Sequence, residues 1–68
     1  MELVQDEKIV AQLENFFLRA RAGVPVRGIE EKERAWYANE EFGCYQACVQ
    51  LHGRITPIFA VPFTVVPR

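Results

Sequence analysis

All nine acidic residues lie between Glu2 and Glu41, and the 27 residues from Phe42 to Arg68 carry no charge except Arg54 and Arg68. So apolar a stretch must be covered, yet it is too short to form a domain of its own. The two parts of this 68-residue chain therefore have to share one core. Within the acid-free part, Tyr45, Ala47, Val49 and Leu51 alternate with Gln46, Cys48 and Gln50. This period of two predicts a strand with one apolar face. His52-Gly53-Arg54 supplies a turn, and a return strand starts at Ile55. A helix over 42–52, ended by Gly53, is the alternative.

The hairpin register follows from which pairing keeps apolar residues together, because a one-residue slip exchanges the faces. A two-residue loop pairs Leu51 with Arg54 and Val49 with Thr56. A three-residue loop pairs Leu51 with Ile55, Val49 with Pro57, Ala47 with Phe59 and Tyr45 with Val61, and is preferred. Pro57 and Pro62 have opposite parity. In a regular strand one of them would remove a ladder hydrogen bond, so the return strand is expected at a sheet edge or with a bulge between the prolines.

Upstream, Ile9, Leu13, Phe16, Phe17 and Ala20 recur at helical spacing and predict a helix over 6–22. Asp6 is its expected N-cap, and Arg19, Arg21 and Gly23 suit its C-terminus. Val24 to Gly28 reads as an extended connector around Pro25. Residues 29–39 favour a second helix, with Glu30–Arg34 as an i, i+4 pair and Ile29 sharing a face with Trp36. The rival reading makes Arg34 to Ala38 a strand that turns through Asn39-Glu40-Glu41 into the next one.

The expected fold is α+β: two helices followed by an antiparallel β-hairpin, in a single domain over 1–68. The alternative is one helix with a three-stranded antiparallel meander. Phe16, Phe17, Val49, Leu51 and Phe59 are the expected core, with Trp36 inside and Tyr37 towards the rim. In a chain of this size, transfer of buried apolar area contributes ~100 kcal/mol. Ordering the chain costs about as much. Stability is therefore marginal alone, which favours a partner.

At 50% hydrophobic, 25% charged and net charge −1, the composition excludes a disordered tail and a strongly basic nucleic-acid binder. Cys44, Cys48 and His52 are the one metal-like spacing. On a strand, residues four apart are separated by ~13 Å, beyond one zinc or one disulfide. The two cysteines therefore read as small buried hydrophobes, and neither a metal nor a cofactor is expected. There is no serine. The glutamates at 30, 31, 33, 40 and 41 read as a solvated face, and no glycine-rich phosphate loop is present, so no enzyme is expected. The N-terminal MELVQDEK lacks an apolar leader, which gives a cytoplasmic expectation with reduced thiols and no membrane contact.

The expectation for function is a small interaction or regulatory protein that contacts another protein and itself, as a homodimer or a tight hetero-complex. With helices on the odd-numbered hairpin face, Cys44, Gln46, Cys48, Gln50, Thr56, Ile58, Ala60 and Thr64 fall on the other, uncharged face. Tyr37, Gln46, Gln50, Thr56 and Ile58 are the candidate interface residues. The alternative is a nucleic-acid-associated regulator using Arg19, Arg21, Arg27 and Arg54, which the nine acids oppose.

Overall fold

A computed structural model describes residues 1–21 and 33–66. The chain begins with a short strand, β1 (Glu2–Leu3), followed by helix α1 (Glu7–Arg21). Strands β2 (Arg34–Asn39), β3 (Cys44–Leu51) and β4 (Arg54–Pro62) come next, and a 3₁₀ turn spans Phe63–Val65. The four strands form one antiparallel sheet in the order β1-β2-β3-β4. The α+β class and the meander alternative match this arrangement. The two-helix version does not.

Helix α1 starts as its sequence requires. Asp6 accepts the first helical hydrogen bond from Val10 N at 2.9 Å, and its Oδ1 accepts from Lys8 N at 2.9 Å. Asp6 is thus the N-cap, satisfying one of the first-turn N–H groups. Leu13 and Phe17 are buried, and Ile9, Val10 and Phe16 pack beside them. Ala20, placed on the apolar stripe by spacing, is exposed.

The second helix expected over 29–39 is corrected from Arg34 onwards, where the chain is β2; residues 29–32, like the connector and Arg27, lie outside the described residues. A Glu30–Arg34 helical pair would contribute only ~0.2–0.5 kcal/mol. The strand instead pairs Trp36 with Ala47, buries Trp36 and gives Arg34 to Glu14 of α1. Glu40 to Gly43 then make a four-residue loop. Asn39 Oδ1 accepts from Phe42 N, and Gly43 takes the left-handed conformation at φ 64°.

The β3–β4 hairpin contains both registers that the sequence offers. Next to the turn, Leu51 pairs with Arg54 and Val49 with Thr56. Further along, Ala47 pairs with Phe59 and Tyr45 with Val61. The register shifts between Ala47 and Cys48, where Ile58 is the extra residue of a β-bulge. The turn is His52-Gly53 with φ of 53° and 77°, a two-residue loop whose twist suits the strands. The three-residue loop is therefore corrected at the turn and correct beyond the bulge.

The bulge also reconciles the prolines. Phe63 N donates to Gly43 O at 3.1 Å, so that pair is hydrogen-bonded and the next, Cys44–Pro62, is not. Alternation along β3 makes Cys48–Pro57 a non-hydrogen-bonded pair too. Both prolines thus turn their missing N–H away from β3, towards the edge that no other described strand pairs, and neither interrupts the ladder.

Trp36, Ala47 and Val61 join Leu13, Phe17 and Val66 in the core. The rings of Phe17, Trp36 and Phe59 meet edge to face, with centroids 5.4 to 6.5 Å apart. Leu51 is corrected: it is 53% exposed, because the short turn makes it the closing residue of the hairpin. Phe16 and Phe59 are half-buried, while Phe17 and Val49 are buried as expected.

A charged group sits within this apolar layer. The Arg34 side chain is 1% exposed, and its Nη2 donates to Glu14 Oε2. Trp36 Nε1 donates to the other Glu14 oxygen, and the guanidinium lies 4.1 Å from the Phe17 ring centroid. Its Nε and Nη1 have no hydrogen-bond partner among the described residues. Removing Glu14 alone would leave a buried cation uncompensated. Glu14→Ala is expected to cost ~3–5 kcal/mol in urea unfolding. The double change Glu14→Leu with Arg34→Met is expected to recover most of that loss. A Glu14→Ala midpoint equal to wild type would show that the pair does not hold α1 on the sheet.

Candidate functional site: the uncharged sheet face

The register assigns every described strand residue to a face. Trp36, Ala47 and Phe59 are aligned and face α1, as do Ala38, Tyr45 and Val61. The other face takes Leu3 from β1 and Ala35, Tyr37 and Asn39 from β2. From β3 it takes Cys44, Gln46, Cys48 and Gln50, and from β4 Ile55, Pro57, Ala60 and Pro62. Not one of these side chains is charged. Strand faces in contact with water usually carry Lys, Glu or Arg. This chain is 25% charged and places that charge elsewhere.

The face is graded in exposure. Leu3 and Ile55 are each 50% exposed, and Gln50, Pro57, Ala60 and Pro62 are also exposed. Ala35, Tyr37, Asn39 and Gln46 are half-buried. Asn39 Nδ2 donates to Gln46 Oε1 at 3.3 Å, fixing both amides in the same plane of the face. Cys48 is 1% exposed near the middle of β3, and Cys44 is buried at the start of the same strand. Both are free thiols. Desolvation pushes the Cys48 thiol above its usual range.

Of the five interface residues read from the sequence, the fold brings three together on this face: Tyr37, Gln46 and Gln50. Tyr37 and Gln46 are direct cross-strand partners. The other two are displaced by the bulge. Thr56 pairs with Val49 and shares its face, and Ile58 packs against the core. Thr64 falls in the 3₁₀ turn beyond the sheet. Leu3, Ala35, Asn39, Ile55, Pro57 and Pro62 are members that the sequence reading missed. Only pairing to β1 and β2 and the bulged register reveal them.

Two of the arginines of the alternative reading have described side chains. Arg19 is exposed on α1, its guanidinium 4.7 Å from the Phe16 ring, and Arg54 is exposed at the hairpin turn. Arg21 ends α1, and Arg27 lies outside the described residues. No group of metal-ligating side chains occurs among the described residues, and no described helix is long and apolar enough to cross a membrane. Comparison with protein-family models, curated proteins and solved structures finds no match.

The thiolate is the reacting form of cysteine, so a buried thiol with a raised pKa should be slow. Cys48 is expected to react with iodoacetamide far more slowly in the native protein than in urea at neutral pH. Its rate should rise with pH beyond the point where an ordinary cysteine levels off. Equal native and denatured rates, resolved by peptide mapping, would contradict the burial of this side chain.

Proposed function

We propose that this chain is a small, non-enzymatic interaction protein that forms a homodimer by laying the uncharged sheet face against the same face of a second copy. The observation that carries this reading is that four strands contribute only uncharged residues to one continuous face. A two-fold contact brings each patch against itself. Charged residues near such an axis meet like charge, and this face has none. Tyr37, Asn39, Gln46 and Gln50 carry both donors and acceptors, so they can pair with their own copies.

Size and edges support the same reading. With strands ~4.8 Å apart rising ~3.3 Å per residue, the face covers on the order of 400–500 Å² in projection. Half of these side chains are exposed, which places the contact at the small end of specific interfaces. Growth by adding a strand is less favourable. On the free edge of β4, Pro57 and Pro62 present no donor, and β1 at the opposite edge has only two residues. Two sheets packed face to face sit ~10 Å apart with interleaved side chains, the arrangement of a β-sandwich.

Sedimentation equilibrium tests it with two lysine substitutions at exposed positions. Wild type is expected at twice the 7.8 kDa chain mass at micromolar concentration. Ala60→Lys, on the face, is expected to sediment as monomer, because the two-fold axis would bury two like charges. Leu18→Lys, on the exposed side of α1, is expected to stay dimeric. A wild-type monomer, or an Ala60→Lys dimer, would overturn the proposal.

A further inference from the structure

A second surface, on the α1 side of the sheet, has a different chemistry. An open groove of about 370 Å³ lies where the start of α1 crosses the ends of β2 and β3. Ile9, Ala38, Tyr45 and Phe63 make its apolar lining, and Asp6 and Glu40 bring carboxylates to it. Tyr45 and Phe63 meet edge to face with centroids 4.6 Å apart, so ring surface and ring edge both line the hollow. A smaller hollow of about 140 Å³, lined by Met1, Glu2, Ala38 and Glu40, continues it and adds a third carboxylate.

The carboxylates are not consumed by the fold. Asp6 Oδ1 caps α1 by accepting from Lys8 N, which leaves its second oxygen. Glu40 has no side-chain hydrogen bond or ion pair among the described residues, although it sits at the junction of both hollows. An aliphatic and aromatic trough with carboxylate oxygens still open at its rim suits a long cationic side chain. A lysine or arginine lays its methylene stem on apolar surface and keeps its charged head at the polar margin. Ring faces add attraction for the cation.

We propose that this groove receives a single lysine or arginine side chain from a basic segment of a protein partner. Its stem lies along Ile9, Tyr45 and Phe63, and its head is held between Asp6 and Glu40. The groove is on the opposite side of the sheet from the proposed dimer face, so the two inferences stand or fall separately.

Amide NMR titration of the full chain tests this with two matched probes. Nα-acetyl-lysine methylamide carries the cation, and Nα-acetyl-norleucine methylamide has an apolar stem without it. The lysine probe is expected to give saturable shifts centred on Ala38, Glu40, Tyr45 and Phe63, with the norleucine probe much weaker. Glu40→Gln, an exposed loop substitution that spares the helix cap, is expected to weaken the lysine probe roughly threefold to fivefold. Phe63→Ala is expected to weaken both probes. High salt should weaken only the lysine probe. Shifts spread over all the acids without saturation, equal binding of the two probes, or an unchanged affinity in Glu40→Gln would each overturn the proposal.

Discussion

One extra residue in β4 governs the rest of the architecture. Pro57 and Pro62 stand five apart, so a regular strand would turn one missing N–H into the ladder. Inserting Ile58 as a bulge resets the alternation and turns both outwards. The same insertion directs Ile58 and Phe59 to the core side together and lets a two-residue turn close the hairpin. It also fixes what the far face contains, because Ile55 and Pro57 join Ala60 and Pro62 there in place of Thr56 and Ile58. The edge made unfit for strand addition and the exchange of Thr56 and Ile58 for Ile55 and Pro57 on that face are two results of one backbone irregularity.

The buried Glu14–Arg34 pair plays a different part. It joins α1 to β2 beneath the aromatic cluster, with Trp36 completing the carboxylate's bonds and Phe17 lying against the guanidinium. Such a pair contributes little net stability over a well-packed apolar replacement, but separating it is costly. Its effect is on alignment. A helix rotated or shifted on the sheet would leave a buried cation facing hydrocarbon, whereas the apolar contacts alone would tolerate several positions. This constraint adds to the apolar alternation that sets α1 against the Trp36, Ala47 and Val61 side of the sheet.

Much of this was legible in the residues. The helix, its Asp6 cap and its Leu13 and Phe17 anchors follow from spacing and capping chemistry. The period-two run from Tyr45 to Leu51 is a strand, and the proline parity called for an edge position or a bulge; β4 has both. Trp36 is in the core as expected, but through strand pairing rather than a helix face shared with Ile29, and Tyr37 is half-buried between Leu3 and Gln46 on the far face rather than at a rim. Residues 34–39 were misread because Glu, Lys, Arg and Ala around them favour a helix locally, while pairing with β3 and burial of Trp36 are non-local. β1 left no signal in two residues. The Glu14–Arg34 pair was hidden because Arg34 had a plausible local partner in Glu30. Of the candidate face, Tyr37, Gln46 and Gln50 were legible, but Thr56 and Ile58 were assigned by a parity that the bulge reverses.

On the reading proposed above, the uncharged face of the sheet is covered by the same face of a second copy. An isotope-filtered NOE experiment on a mixture of labelled and unlabelled chains reads that contact without altering any residue. The account predicts intermolecular contacts from Tyr37, Ile55 and Ala60 to their counterparts across a two-fold axis, and none from the exposed Leu18 of α1. An absence of intermolecular contacts, or contacts confined to α1, would contradict it.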